Sequence, residues 1–233
     1  MKHSPAAILF DFDGVIVNSE PLHFQAFYHI LKSERIQLTE AEYWNEMIGF
    51  DDRGAFRYIF QKHGRVADPP TLLRIMTAKS QVMMDLIQKN KYHALPGVEE
   101  FVRGVWRHYP LAICTGALRE EVEVMLEGVS LRDCFSVIVA AEDVTVGKPD
   151  PQGYLLAAKL LSEKIKKHLH PEDCLIIEDA PSVCQHARQA GFKTLGVATS
   201  TTLERLAASA DHAIPSLHPD QVLKVLPNLE MTV

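Results

Sequence analysis

Apolar positions change their spacing along this chain, and the change divides it into two kinds of sequence. Ala6-Ala7-Ile8-Leu9-Phe10 is a continuous apolar run. Such a run, bounded by a break, predicts a buried strand in a parallel sheet. It stops abruptly at Asp11-Phe12-Asp13-Gly14. From Pro21 to about Lys89 the spacing is helical throughout. Leu22, Ala26, Phe27, Ile30 and Leu31 form one stripe. Thr39-Glu40-Ala41-Glu42 is a capping box that opens a short helix through Tyr43, Trp44 and Met47. Phe56, Ile59 and Phe60 mark a third helix. Asp68-Pro69-Pro70 breaks the chain before a long fourth one, with Pro70 suited to its first position. Met83 and Met84 read as packing within these helices rather than as a cofactor site.

From Leu95 onward, helical and strand-like stretches alternate. Leu111 to Cys114, Val137 to Ala140, Cys174 to Ile177 and Lys193 to Ala198 are short apolar runs, with Ala213-Ile214 as an edge strand. Helices separate them, and the one from Ser182 to Ala190 closes on Gly191. Repeated strand–helix units predict a parallel sheet with right-handed crossovers. The fold class expected is therefore α/β, a Rossmann-like parallel sheet flanked by helices, with a helical bundle inserted after the first strand.

In such a sheet, ligands bind beyond the carboxyl ends of the strands. The polar residues at those ends are Asp11 and Asp13, Thr115 and Gly116, Lys148 in the Gly147-Lys148-Pro149-Asp150 loop, and Glu178 with Asp179. Each alone has an ordinary explanation. Asp-x-Asp-Gly is a turn, a Gly-Lys-Pro lysine is a surface loop, and Glu-Asp suits a helix N-terminus. Together they are a chemical kit. Crowded carboxylates repel and need a cation, and an all-oxygen set without His or Cys ligands favours Mg2+. Lys148 and Thr115 could then hold phosphate oxygens. One aspartate could attack phosphorus while the other carries the proton.

Composition narrows the partners. The chain has 233 residues, 47% hydrophobic and 23% charged, with a net charge of -6. This suits a folded protein of one large or two smaller domains. No basic region points to nucleic acid or to an anionic membrane. No run approaches the ~18 apolar residues of a membrane span. The four cysteines have no Cys-x-x-Cys pair and read as small buried thiols in a reducing compartment. The first five residues lead straight into the first strand without a secretory pattern, so a cytoplasmic protein is expected.

The four motifs, in this order and after these strands, resemble those of the haloacid dehalogenase superfamily, in its helical-cap branch of phosphatases and β-phosphoglucomutase-like enzymes. The resemblance spans nearly the whole chain. It implies a core of residues 1–17 and 93–233 and a cap of residues 18–92. It implies Asp11 as nucleophile and metal ligand, and Asp13 as acid/base with its backbone carbonyl on the metal. Thr115, Gly116 and Lys148 would bind the phosphoryl group, and Glu178 with Asp179 would complete a Mg2+ site. Dehalogenases of the family lack the second aspartate, so Asp13 argues for phosphate esters. The expectation is a Mg2+-dependent phosphatase acting on a small phosphorylated metabolite, such as a sugar phosphate, as a monomer or weak homodimer. A phosphomutase and a non-catalytic phosphate-binding protein are the alternatives. The chain departs from relatives at Ala180 and Val183, where serine and glycine are usual, which would loosen the metal loop. In the cap, His23 and Arg53 are candidate substrate-side residues, and Ser19 holds a hydroxyl position in the hinge. Ile48, before Gly49, replaces the lysine of the mutases and speaks against that activity.

Overall fold

A computed structural model describes residues 4–47, 50, 52–89 and 93–232. The chain divides into two compact units, Met1–Asn18 with Tyr92–Val233, and Ser19–Lys91.

The first unit is built on six strands, β1 (Ala7–Phe10), β2 (Leu111–Cys114), β3 (Val137–Val139), β4 (Cys174–Glu178), β5 (Lys193–Val197) and β6 (His212–Ile214). They form one sheet in the order β3-β2-β1-β4-β5-β6, and every neighbouring pair is parallel. The α/β fold expected from the sequence is therefore present. β1 lies between β2 and β4, and all four of its residues are buried. Helices cover both faces, which is why its apolar run is continuous rather than alternating. Ala7 and Leu9 pack toward Tyr154, Ala157, Ala158 and Leu161 of the helix Gln152–Ile165. Phe10 meets the rings of Phe101 and Phe135, at centroid separations of 6.1 and 5.5 Å. Each fully buried large side chain of this kind contributes about 1.5–3 kcal/mol.

Strand order reverses between β1 and β4, because the chain builds β2 and β3 on one side before crossing to the other. A crevice opens at the carboxyl end of such a switch point. Asp11 follows β1 there, and its N–H donates to the Ile177 carbonyl of β4 at 2.9 Å. The chain leaves this unit beside its point of return. Val17 bridges Ala94, and the Leu95 N–H donates to the Ile16 carbonyl at 2.8 Å. The four cysteines are buried and free. No helix among the described residues is long and apolar enough to cross a membrane.

The second unit is helical, as its 3.6-residue spacing predicts. It contains Glu20–Ser33, the three-residue helix Glu40–Glu42 continuing into a π-helical turn at Tyr43–Met47, Asp52–Lys62, and Pro69–Lys89. The long helices begin one residue before the sequence reading places them, at Glu20 and Pro69. The capping box forms, with the Thr39 hydroxyl accepting from the Glu42 N–H and the Glu42 carboxylate accepting from the Thr39 N–H. Phe27, Leu31, Phe56, Ile59, Phe60 and Ile75 make its core. Ile48 and Gly49, on which the mutase comparison turns, lie outside the described residues.

Candidate active site

The backbone turns sharply after β1. The Gly14 N–H donates to the Val17 carbonyl at 2.7 Å, and the Ile16 N–H to the Phe12 carbonyl at 2.8 Å. Gly14 takes a φ of +79°, in the left-handed region that glycine enters without steric cost. Its missing side chain is equally important. A Cβ there would lie 2.0 Å from Asp179 Oδ2, so the glycine makes room for that carboxylate.

Lys148 reaches in from the loop after β3. Its Nζ donates to Asp11 Oδ1 at 2.5 Å and to Glu178 Oε1 at 2.7 Å. Glu178, the last residue of β4, turns its other oxygen to the backbone. Oε2 accepts from the N–H groups of Asp179 and Ala180, each at 2.9 Å. Asp11, Glu178 and Asp179 each offer an oxygen within 4.8 Å of the others, and all are buried. Asp13 is half-buried, close enough to Asp179 for its charge to be felt.

Thr115 stands at the end of β2 and is buried. Its N–H donates to the Val139 carbonyl at 2.9 Å, and its hydroxyl accepts from the Ala117 N–H at 3.1 Å. Gly116 follows, exposed, with open space where a side chain would stand. The structure thus brings Asp11, Lys148, Glu178 and Asp179 into direct proximity and sets Asp13, Thr115 and Gly116 at the same sheet edge.

Burial and mutual repulsion dominate the electrostatics of the cluster. Burial, and then the neighbouring Glu178 and Asp179 charges against the pull of Lys148, hold the Asp11 carboxyl well above its usual range. Burial, and then Glu178, push Asp179 up to about 7. Burial opposes the Lys148 ammonium, but Asp11 and Glu178 outweigh it and raise its pKa. One ammonium is shared among the buried carboxylates, and it does not neutralise them. The oxygen-only donor set, its crowding and the space kept by Gly14 therefore fit a hard divalent cation.

Two further side chains brace this edge from the loop after β5. The Thr199 hydroxyl donates to the Gly14 carbonyl, and the Ser200 hydroxyl donates to the Asp179 carbonyl at 3.2 Å. They tie together the loops that carry Asp13 and Asp179. Ala180 contributes its N–H to Glu178, and Val183 packs with Ala187 against β4. Beside these two residues, the Ser200 hydroxyl holds the Asp179 carbonyl, and Val183 adds apolar packing. Tyr154, buried beside Lys148, is likewise not marked by the sequence, because an aromatic on a core-facing helix stripe looks like packing.

In the helical unit, His23 belongs to a polar cluster around Lys79, which is 1% exposed. Lys79 Nζ lies 2.7 Å from Asp52 Oδ1, 2.8 Å from His23 Nδ1 and 4.9 Å from the Phe27 ring centre. Glu20 accepts from the Tyr43 hydroxyl at 2.6 Å. Arg53 is exposed on the helix that carries Asp52. An ammonium has only donors, so His23 Nδ1 must be an acceptor and the ring neutral. Burial, and then Lys79, lower its pKa well below 6.5. The unfolded chain therefore binds this proton more readily. The stability that His23 supplies is present above about pH 6.5 and is lost as pH falls below it, by at most about 1.4 kcal/mol per pH unit. Urea unfolding at pH 7 and pH 5 should show a steeper loss in the native protein than in His23→Asn; equal losses would refute the account.

The family model described as haloacid dehalogenase-like hydrolase matches residues 8–197. A phosphorylated carbohydrates phosphatase from Thermotoga maritima is 27% identical over 225 residues, covering 94% of this chain and 97% of that protein. A fructose-1-phosphate phosphatase from Escherichia coli is 29% identical over 196 residues, covering 82% and 96%. Among solved structures, a β-phosphoglucomutase from Clostridium difficile superposes with a TM-score of 0.81 at 20% identity, covering 97% of each chain, a likeness of fold.

Proposed function

Because the chain belongs to the haloacid dehalogenase-like hydrolases, we propose that it is a Mg2+-dependent phosphatase of small phosphorylated carbohydrates, working through an aspartyl phosphate. The observation that carries this reading is Asp11, at the switch point of the sheet, held at 2.5 Å by Lys148 among buried carboxylates. The relatives named for phosphorylated carbohydrates and fructose 1-phosphate support the substrate class.

Asp11 attacks phosphorus through a carboxylate oxygen, and the bond from phosphorus to the ester oxygen breaks. Asp13 gives a proton to that leaving oxygen. It then takes one from water as the water oxygen attacks the aspartyl phosphate, releasing inorganic phosphate and restoring Asp11. Lys148 holds Asp11 in line and offsets charge on the phosphoryl oxygens. The Thr115 hydroxyl and Gly116 N–H supply neutral donors to the same group. Asp11, Asp179, Glu178 and the Asp13 carbonyl would hold Mg2+, which when bound supplies positive charge to the carboxylates and to the phosphoryl oxygens. Glu178 also anchors Lys148 and the turn behind Asp179.

A panel of phosphomonoesters with and without Mg2+ tests this. Phosphate release should require Mg2+ and favour phosphorylated sugars over aryl phosphates. Turnover of none of the panel, or turnover indifferent to divalent cations, would sink the reading. Interconversion of a β-hexose 1-phosphate, primed by its bisphosphate, would replace it with the mutase.

A further inference from the structure

Tyr154 is fully buried, although it carries a hydroxyl. A buried phenol needs a partner, and this one has two at the reacting centre. Its Oη accepts from Lys148 Nζ at 3.1 Å and donates to Glu178 Oε1 at 3.1 Å. Lys148 in turn donates to that same Glu178 oxygen, so the three side chains close a triangle. Lys148 Nζ also lies 5.0 Å from the Tyr154 ring centre. An ammonium has three N–H groups. Here they meet Asp11, Glu178 and Tyr154, which leaves none idle.

The helix that carries Tyr154 is placed for this contact. A Cβ on Gly153 would lie 2.6 Å from Cys114 Sγ, so glycine lets the first turn press on the end of β2. The lysine stem is long and flexible, and an ammonium held only by two carboxylates can follow either of them. The phenol adds a third fixed point, on a helix rather than a loop. It is also the one neutral acceptor of the three, so it can yield its N–H to a phosphoryl oxygen while the carboxylates keep theirs.

We propose that Tyr154 is a positioning residue for phosphoryl transfer, whose hydroxyl aims the Lys148 ammonium at Asp11 and hands one N–H to the phosphoryl group. The inference rests on the phosphatase reading above. Tyr154→Phe keeps the ring and removes only the hydroxyl. It should lower kcat about tenfold to a hundredfold, with KM changed by no more than about twofold. In a Lys148→Ala background the same substitution should cost nothing further, because its effect runs through the lysine. In 15N spectra of the protein itself, the Lys148 ammonium should give a resonance protected from solvent exchange, and Tyr154→Phe should abolish it.

Native turnover that survives Asp11→Asn would refute the phosphatase reading and leave the spectroscopic arm to decide Tyr154. With native turnover dependent on Asp11, equal kcat in Tyr154→Phe, full additivity with Lys148→Ala, or an unprotected ammonium in the native protein would each refute the role of Tyr154.

Discussion

Asp11→Asn is expected to abolish phosphate release and at the same time to make the metal-free protein more stable. The first effect follows from chemistry. The amide is not a nucleophile toward phosphorus, and loss of the attacking group lowers kcat by about 10^4-fold or more. The second follows from the charge imbalance. Asp11, Glu178 and Asp179 are buried together, and Lys148 is shared between Asp11 and Glu178. The Asp11 pKa is raised on folding, chiefly by burial. A carboxyl raised in this way contributes less stability as pH rises above its unfolded value near 3.8, so the charge it carries on ionising favours the unfolded chain. Asparagine removes that charge, and its side-chain oxygen can still accept from Lys148. Thermal melts without divalent cation should show a higher Tm for Asp11→Asn. Added Mg2+ should raise the native Tm through preferential binding to the folded state, and should raise the variant's much less. A lower Tm for the variant would mean that Asp11 is not a source of strain, and an equal response to Mg2+ would mean that it is not part of a cation site.

The parts of the fold legible in the sequence are those where burial and topology leave an unbroken local pattern. β1 and β4 announce themselves because both faces are covered and the apolar runs are unbroken, and the acids that end them interrupt those runs. Asp11, Glu178 and Asp179 are legible as a group because α/β topology sends every parallel strand's carboxyl end to one edge. The short helices Leu203–Ala207 and Pro219–Val225 are harder to see, since one or two turns give too few apolar positions to establish a period. The bracing hydroxyls carry no local signal at all. Thr199 meets Gly14 across 185 positions of sequence, and only the folded sheet makes them neighbours.

Lys79 is a different case. It interrupts the stripe formed by Leu72, Ile75, Met83 and Ile87, and a lysine on the buried face of a helix needs a partner. The lysine is visible in the sequence, but its partners Asp52 and His23 lie on two other helices. Tyr154 shows the opposite ambiguity. Its ring does pack in the core, and its hydroxyl has a second role that hydrophobic spacing does not encode.

Gly14→Ala carries the second large effect, because two separate penalties fall on one atom. The φ of +79° costs an alanine about 1 kcal/mol or somewhat more. For a chain of this length that lowers Tm by about 2–4 °C per kcal/mol. The contact is worse. The new Cβ would lie 2.0 Å from Asp179 Oδ2 and 2.7 Å from its Cγ, so either the loop or the carboxylate must move. Asp179 is tied through its backbone to Glu178 and Ser200, and Gly14 through its carbonyl to Thr199, so neither loop can give way freely. Displacement of a reacting or metal-holding group by about 1 Å costs on the order of 10^2-fold in rate. Gly14→Ala should therefore lose at least that much in kcat, and its Tm should respond weakly to Mg2+. Gly64→Ala separates the two penalties. Gly64 also has positive φ, +66°, but nothing lies within 4 Å of the position of its Cβ. It should lose a few degrees of Tm and keep full activity. If both alanines leave activity intact, the space beside Asp179 is not what Gly14 supplies; if Gly14→Ala is inactive yet keeps the native response to Mg2+, the clash acts on the proton-carrying side chain of Asp13 rather than on the groups that hold the cation.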